Sequence, residues 1–385
     1  MKKIKLAQVI TRMDWGGSSD IVRILCERLD PNVYDITLIC GPTENPSDRT
    51  KRFFESYKNK IITLRRLKRN INIYGDVRSL FDLYKIFKRE HFDIVHTHTA
   101  KSGFTGRIAA KMAGVQVVIH TPHGNNFYGY LNSLWTPAVI LLERFASRFS
   151  DKLIVLTNIE RQDLIRYNIC KSELIEIVHS GIEIENFSDL SVDPKEKRRI
   201  YGIDAECTLV GMVARLERVK GPHYFIEAAK IINEELPDVK FLVTGDGSLK
   251  GELVDYSKKL NLDRKIVFTG WTNDIPGVLS MLDLLVVPSL NEAVGRTILE
   301  AGVLSKAVVA TSVGGIPDVI RDGETGILVP PEDPRKIAEA VVDLLRDNRK
   351  AREIGRNARE WVQGHYNVDT MIKEIHNQYM SFYSI

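Results

Sequence analysis

Two carboxylates separated by seven residues frame the stretch best equipped for chemistry, Glu292 and Glu300 with Gly295, Arg296 and Thr297 between them. The run Pro288-Ser289-Leu290-Asn291-Glu292 follows an apolar strand pattern, and Arg296-Thr297-Ile298-Leu299-Glu300-Ala301 opens a helical one. Gly295 lets a ligand approach the backbone closely. The N–H groups of Arg296 and Thr297 lie where a helix N-terminus favours a phosphate. Ionised carboxylates only accept hydrogen bonds, so Glu292 and Glu300 suit the hydroxyls of a sugar or a ribose. Taken alone, the spacing favours an acid at a helix start beside a surface acid.

Company changes that balance. A strand pattern ending at Ala214 is followed by Arg215 and Lys220, placed to converge on a diphosphate, the one bidentately and the other as a point charge. Gly245-Asp246-Gly247 and Gly270-Trp271-Thr272 each follow a further strand pattern. Each of these loops has an ordinary explanation of its own, a solvated basic loop or a tight turn. Together they stand at the strand ends of one sheet, where open parallel sheets bind ligands.

The first half is less explicit. Asp14-Trp15-Gly16-Gly17 follows the first strand pattern and reads as a tight turn or as a backbone loop for a ligand. His96, His98, His120 and His123 cluster near strand ends. His96 and His98 share one face of a strand. No carboxylate is spaced as a third ligand, so no metal is expected and the histidines read as core or hydrogen-bonding groups.

The elements that must position these residues form two successive series. Strand patterns run over 4–10, 35–40, 92–98, 116–121, 152–156 and 175–178, then over 208–213, 240–244, 265–269, 284–287, 307–310 and 326–329. They are Val, Ile and Leu runs without clean alternation, as strands covered on both faces show. Helical patterns lie between them at 19–29, 77–88, 103–112, 134–149, 224–235, 249–260, 297–303 and 334–347. Such alternation predicts right-handed crossovers and parallel sheets. The fold class is α/β, with two doubly wound domains facing each other. The linker is expected at 179–187, and the charged segment 193–199 then starts the second domain. A helical pattern rich in aromatics over 359–383 is expected to cross both domains and return to the first.

Size and composition agree. The 385 residues are 44% hydrophobic and 27% charged, as in a soluble two-domain protein. No apolar run reaches the ~18 residues of a membrane span, and the N-terminus reads as a strand and not as a signal peptide. Four scattered cysteines fit reduced thiols and a cytoplasmic location. The net charge of +4 divides unevenly: residues 1–180 hold 28 Lys+Arg against 18 Asp+Glu, and the excess is densest between Lys51 and Arg89. A basic half attracts an anionic membrane or a phosphorylated substrate, or is simply a solvated face. No nucleic-acid motif accompanies it.

With these residues in view, the chain resembles the retaining glycosyltransferases of family 4, which have the GT-B architecture. The matching features run in order: Gly211 to Gly221, Gly245-Asp246-Gly247, Phe268-Thr269-Gly270, the glutamate pair, then Val313-Gly314-Gly315-Ile316-Pro317-Asp318 and Gly323-Glu324-Thr325-Gly326. The resemblance implies two Rossmann-like domains, an acceptor-binding one over 1–179 with 365–385 packed back on it, and a donor-binding one over 180–364. It implies that Arg215 and Lys220 hold the diphosphate of a nucleotide sugar, UDP-sugar being favoured. Glu292 would contact the donor sugar and support developing positive charge, Glu300 would bind the ribose, and Gly270, Trp271 and Thr272 would lie against the base. Gly16 and Gly17 would face the donor phosphates. His123 is the residue implied to touch the reacting sugar, so His123, Lys220 and Glu292 form the catalytic set. Lys101 and Thr157 are secondary, acceptor-side candidates. The implied reaction moves a hexose or N-acetylhexosamine to a hydroxyl of a glycan, with a lipid-diphosphate-linked acceptor at the inner membrane face and no required cofactor. A nucleotide-sugar 2-epimerase of the same fold and a non-catalytic sugar-nucleotide binder are the alternatives. Three departures stand out. Ala293-Val294 replaces a Phe-containing pair, Ser305-Lys306-Ala307 replaces Gly-x-Pro, and Ser18-Ser19 replaces Ala-Glu after the glycines.

Overall fold

Continuous apolar runs become buried parallel strands because helices cover both of their faces. In the computed structural model, which describes residues 2–44, 46–70, 72–124, 136–187 and 193–383, the first series comprises β1 (Ile4–Ile10), β2 (Tyr34–Cys40), β3 (Ile61–Thr63), β4 (Ile94–His98), β5 (Val117–Thr121), β6 (Lys152–Val155) and β7 (Ile175–Ile177). They pair in the order β3-β2-β1-β4-β5-β6-β7. The second series comprises β8 (Leu209–Val213), β9 (Lys240–Thr244), β10 (Ile266–Gly270), β11 (Leu284–Val287), β12 (Ala307–Thr311) and β13 (Ile327–Val329), ordered β10-β9-β8-β11-β12-β13. Within each sheet the strand order reverses once, between β1 and β4 and between β8 and β11, and these are the crevices where doubly wound sheets take ligands.

The chain divides into two compact units, Met1–Ser180 with Asp369–Ile385, and Gly181–Val368. Ala7, Val9, Val95 and Val118 of the first sheet pack with Leu83 and Phe87. Val210, Met212, Phe241 and Val286 of the second pack with Phe225, Ile226 and Val341.

Most strand expectations hold to within two residues. The short, half-exposed β3 was not anticipated, nor were the helices Asp48–Ser56, Asn158–Arg166 and Ile275–Met281. The charged segment at 193–199 is a capped helix, Pro194–Ile200, with Asp193 at its N-cap. Its Arg198 is buried and donates to the carbonyls of Met281, Ala205 and Cys207. The helix expected over 134–149 spans Thr136–Ser147, and residues 134 and 135 lie outside the described residues.

The single helical pattern expected over 359–383 is two helices, Asn348–His365 and Val368–Met380. The break at Tyr366-Asn367 has a packing cause. Tyr366 is buried, its hydroxyl donates to the Asp318 carbonyl at 3.0 Å and its own carbonyl accepts from Ile182 N at 2.8 Å. A Cβ on Gly181 would lie 2.6 Å from Val368 Cα, so only glycine allows the two chain passes to run this close. The first of the two helices stays with the second unit, where Trp361 donates to the Val319 carbonyl. The other belongs to the first unit, where His376 meets Tyr34 and Tyr379 meets His96.

Candidate active site

In the second unit the switch point is built by glycines that bring loops into backbone contact. Gly221 closes the turn after β8 at φ 64°, and a Cβ there would lie 1.9 Å from the Pro288 carbonyl oxygen. Leu290 N donates to the Val219 carbonyl at 2.8 Å, so the loop carrying Lys220 is laced to the loop after β11. Gly314, at φ 51°, approaches from the other side: its Cβ would lie 2.0 Å from the Glu292 carbonyl oxygen, and Gly315 N donates to that oxygen at 2.9 Å. These contacts hold Lys220 against Glu292, with Nζ 2.5 Å from Oε1. Ser289 Oγ donates to the same carboxylate oxygen at 3.1 Å. The Ser289 carbonyl accepts in turn from the buried Thr311 hydroxyl.

Gly295 is the N-cap of the helix Arg296–Val303, in the left-handed region at φ 71°. Arg296 and Thr297 therefore stand in the first turn, where N–H groups lack partners within the helix. One turn further along, Glu300 takes Arg296 Nε at 3.4 Å. Arg215, after β8, pairs with Glu217 at 3.0 Å.

The remaining loops are joined to this group. Gly245 N donates to the Gly270 carbonyl at 3.0 Å, and a Cβ on Gly245 would lie 1.9 Å from the Ala214 carbonyl oxygen. Leu216 N donates to the Asp246 carbonyl. Trp271, beside Gly270, is 43% exposed. Thr272 Oγ1 accepts from Asp274 N at 3.1 Å.

In the first unit, Gly16 is the N-cap and Gly17 the first residue of the helix Gly17–Arg28. Ser19, where the family has an acid, turns inward and donates to the Gly16 and Asp14 carbonyls. Beyond β4 and β5 the backbone enters the left-handed region at two non-glycine residues, Thr99 at φ 65° and His123 at φ 61°. Such conformations concentrate at functional sites.

Three of the four histidines, His96, His98 and His123, form one hydrogen-bonded network, and the buried His120 stands apart from it. His123 Nε2 lies 2.9 Å from His98 Nδ1, and His98 Nε2 lies 2.6 Å from Gln8 Oε1. Gln8 Nε2 donates to the Tyr379 hydroxyl at 3.0 Å, which lies 2.7 Å from His96 Nδ1. His96 Nε2 meets Thr121 at 2.8 Å, and His120 Nδ1 meets the Thr97 hydroxyl at 3.0 Å. The amide oxygen of Gln8 can only accept, so the His98 proton is on Nε2. Burial keeps these rings neutral, holding His123 down at about 3 and His98 well below the usual histidine range. His98 Nδ1 is then an acceptor, His123 donates through Nε2, and His123 Nδ1 keeps its lone pair. Among the described residues that atom has no hydrogen-bond partner. His123 Nδ1 can thus accept a hydrogen bond and has no proton to give. Among the described residues no group of three His, Cys, Asp or Glu side chains could hold a metal ion.

Two profiles cover the chain in tandem: Glycosyltransferase Family 4 over residues 15–186 and Glycosyl transferases group 1 over residues 193–361. A UDP-Gal:alpha-D-GlcNAc-diphosphoundecaprenol alpha-1,3-galactosyltransferase of Escherichia coli is 32% identical over 98% of this chain and 97% of its own. The chain belongs to glycosyltransferase family 4. The capsular polysaccharide biosynthesis glycosyltransferase CapM of Staphylococcus aureus is 27% identical over 85% of this chain and 87% of its own. The crystal structure of Anabaena Alr3699/HepE in complex with UDP and glucose shares the fold at a TM-score of 0.85, with 20% identity over 98% of this chain and all of that one.

Within this glycosyltransferase, the expected donor residues gather at the carboxyl edge of one sheet: Arg215, Lys220, Gly245 and Gly295 follow its strands, Gly270 ends β10, and Arg296, Thr297 and Glu300 stand on the first turns of the helix after β11. The acceptor-side candidates are engaged elsewhere. Lys101 binds Asp76 at 2.7 Å and the Asn70 carbonyl. Thr157 is fully buried and caps the helix Asn158–Arg166 by accepting from Glu160 N at 3.2 Å. Glu160 itself was missed: its carboxylate accepts from Leu156 N and Gly124 N, fastening the turn that carries His123. Thr157-x-x-Glu160 after a strand was the available signal, a capping-box spacing. Gln8 and Tyr379 were missed because nothing local marks residues 371 positions apart as partners.

Proposed function

We propose that this glycosyltransferase moves a hexose or N-acetylhexosamine from a UDP-sugar to a hydroxyl of a lipid-diphosphate-linked glycan, with retention, in bacterial surface-polysaccharide assembly. The observation that carries the proposal is the pairing of Lys220 with Glu292 at the switch point of the second sheet, beside the N-terminus of the helix Arg296–Val303. The full-length likeness to the Escherichia coli galactosyltransferase supports the acceptor class.

In this reading Lys220, Arg215 and the first-turn N–H groups take the diphosphate, and Glu300 takes the ribose. The bond from the anomeric carbon to the diphosphate breaks and one to the acceptor oxygen forms on the same face. The acceptor proton passes to the departing diphosphate oxygen, so no side chain serves as a covalent nucleophile. Charge develops on the leaving oxygens and on the sugar ring, and fixed groups aimed at both lower the barrier. Glu292 supports the ring. In the first unit, His123 accepts from a hydroxyl of the reacting sugar through Nδ1.

Thermal-shift screening of nucleoside diphosphates and nucleotide sugars identifies the donor. Transfer to a GlcNAc-diphosphate-lipid is then read by product analysis with and without acceptor. Stabilisation by UDP and an α-linked product only when acceptor is present are expected. Sugar isomerisation without acceptor overturns the reading in favour of an epimerase.

A further inference from the structure

The helix Ile73–Glu90 turns an unusual face to solvent. Ile73, Tyr74, Val77 and Phe81 are 79%, 74%, 51% and 48% exposed, on its first two to three turns. Their spacing places them on one stripe. The opposite stripe, Leu83, Ile86 and Phe87, is already buried in the core, so the exposed residues are surplus to folding. Grouped large apolar residues on a surface mark an interaction site.

The charge around the stripe is one-sided. From Arg65 to Arg89 the chain holds eight Lys and Arg against two Asp. Arg65, Arg66, Lys68 and Arg69, in the segment before the helix, are exposed, as are Arg78, Lys85, Lys88 and Arg89 on the helix. Both acids are countered: Asp76 pairs with Lys101 at 2.7 Å, and Asp82 faces Arg66 at 3.9 Å. The second contact also lays the basic segment along the helix.

The location matters as well. The basic segment follows β3 and the helix runs back along the sheet, so its apolar first turns stand at the carboxyl edge. That edge also carries the turns at Gly16, Thr99 and His123. Lys101, two residues beyond Thr99, holds the Asn70 carbonyl and Asp76 and ties that edge directly to the stripe.

We infer that the stripe Ile73, Tyr74, Val77 and Phe81, with the basic residues around it, docks this protein on an anionic lipid bilayer. An apolar face with Lys and Arg beside it is what lies in the boundary between headgroups and acyl chains. Neither signal alone anchors stably, and here the two are combined. No helix among the described residues is long and apolar enough to cross a membrane, so contact of this kind is peripheral. The inference rests on the lipid-linked acceptor proposed above: docking brings the carboxyl edge of the first sheet to the surface where such an acceptor resides.

The test is flotation of the full chain with vesicles of phosphatidylcholine alone or with one third phosphatidylglycerol, at low and high salt. Two variants accompany it, Tyr74→Asp/Phe81→Asp and Arg65→Ser/Arg66→Ser/Lys68→Ser/Arg69→Ser, with UDP-induced thermal stabilisation as the check on folding. The wild type is expected to float with the anionic vesicles only, less at high salt. The charge variant loses about fivefold in partitioning per basic residue removed, and the aspartate variant does not float. Wild type that stays with the soluble fraction, or variants that float as it does, overturn the inference. So does a dimer in light scattering that Phe81→Asp dissociates without vesicle binding, since the stripe would then cover a second copy. Transfer is measured in parallel to a short-chain, water-soluble acceptor. Variants that keep this transfer but lose transfer to vesicle-borne acceptor support the docking surface. Stripe-dependent flotation with no transfer to any diphosphate-linked acceptor sinks the acceptor assignment and leaves the surface standing.

Discussion

Lys220 and Glu292 form an ion pair of 2.5 Å between loops that are 72 positions apart in sequence, each side chain only 14% exposed. The pair ties the loop after β8 to the loop after β11. In the reading proposed above, a bound diphosphate competes for the Lys220 ammonium and frees the carboxylate to face the sugar.

Removing either partner therefore has different consequences for binding and turnover. Lys220→Ala is expected to weaken UDP binding and to lower kcat by roughly 10²–10³, the range for loss of one charge-stabilising donor. Glu292→Ala is expected to lower kcat by a similar order while UDP still binds, because its proposed contact is with the sugar. Calorimetric titration with UDP beside steady-state rates separates the two. Near-normal turnover in either variant would remove that residue from the site.

Gly314→Ala tests the backbone packing under Glu292. The new methyl group meets the Glu292 carbonyl oxygen at 2.0 Å, and the residue sits at φ 51°. The Glu292 loop must shift, so kcat is expected to fall at least tenfold with far-UV circular dichroism unchanged. A missing effect would show that this loop adapts freely.

Glu160 carries a pH dependence of stability. Burial raises its carboxyl from 4.5 to about 7 in the folded chain. The folded state therefore holds this proton more tightly than the unfolded one. Its contribution is fully present below pH 4.5 and is lost as pH rises through 7, by roughly 3 kcal/mol in all. Glu160→Gln cannot ionise, so its melting temperature is expected to change less between pH 5 and 8 than that of the wild type. Parallel curves for the two proteins would contradict the assignment.

Ser305 stands in the left-handed region at φ 56°, at the position where the family has glycine. A side chain there costs about 1–2 kcal/mol relative to the right-handed region. Ser305→Gly is expected to raise the unfolding midpoint of the second unit by a few degrees, net of glycine's greater freedom when unfolded. A lowered midpoint would mean that the serine side chain makes a stabilising contact.

Much of this protein was legible before any coordinates. Both sheets could be read because a doubly covered strand is a continuous Val, Ile and Leu run, as in β8, β9 and β11. β3 was not, because two half-buried isoleucines and an exposed threonine make no such run. The pattern at 359–383 was read as one helix because its break at Tyr366 is made by Asp318 and Ile182, partners far away in sequence.

The sequence by itself determined where the loops of the proposed donor side lie: glycines with fixed companions mark loops that must touch backbone to backbone, and Glu292 and Glu300 follow them at family spacing. That information is local and survives without coordinates. Only the tertiary structure decided that Lys220 meets Glu292, that Lys101 and Thr157 are hydrogen-bonded to their own neighbours, and that Gln8 sets the tautomer of His98. Those outcomes depend on which strand lies beside which. A hydrogen bond between residues 8 and 379 leaves no trace in the spacing of either.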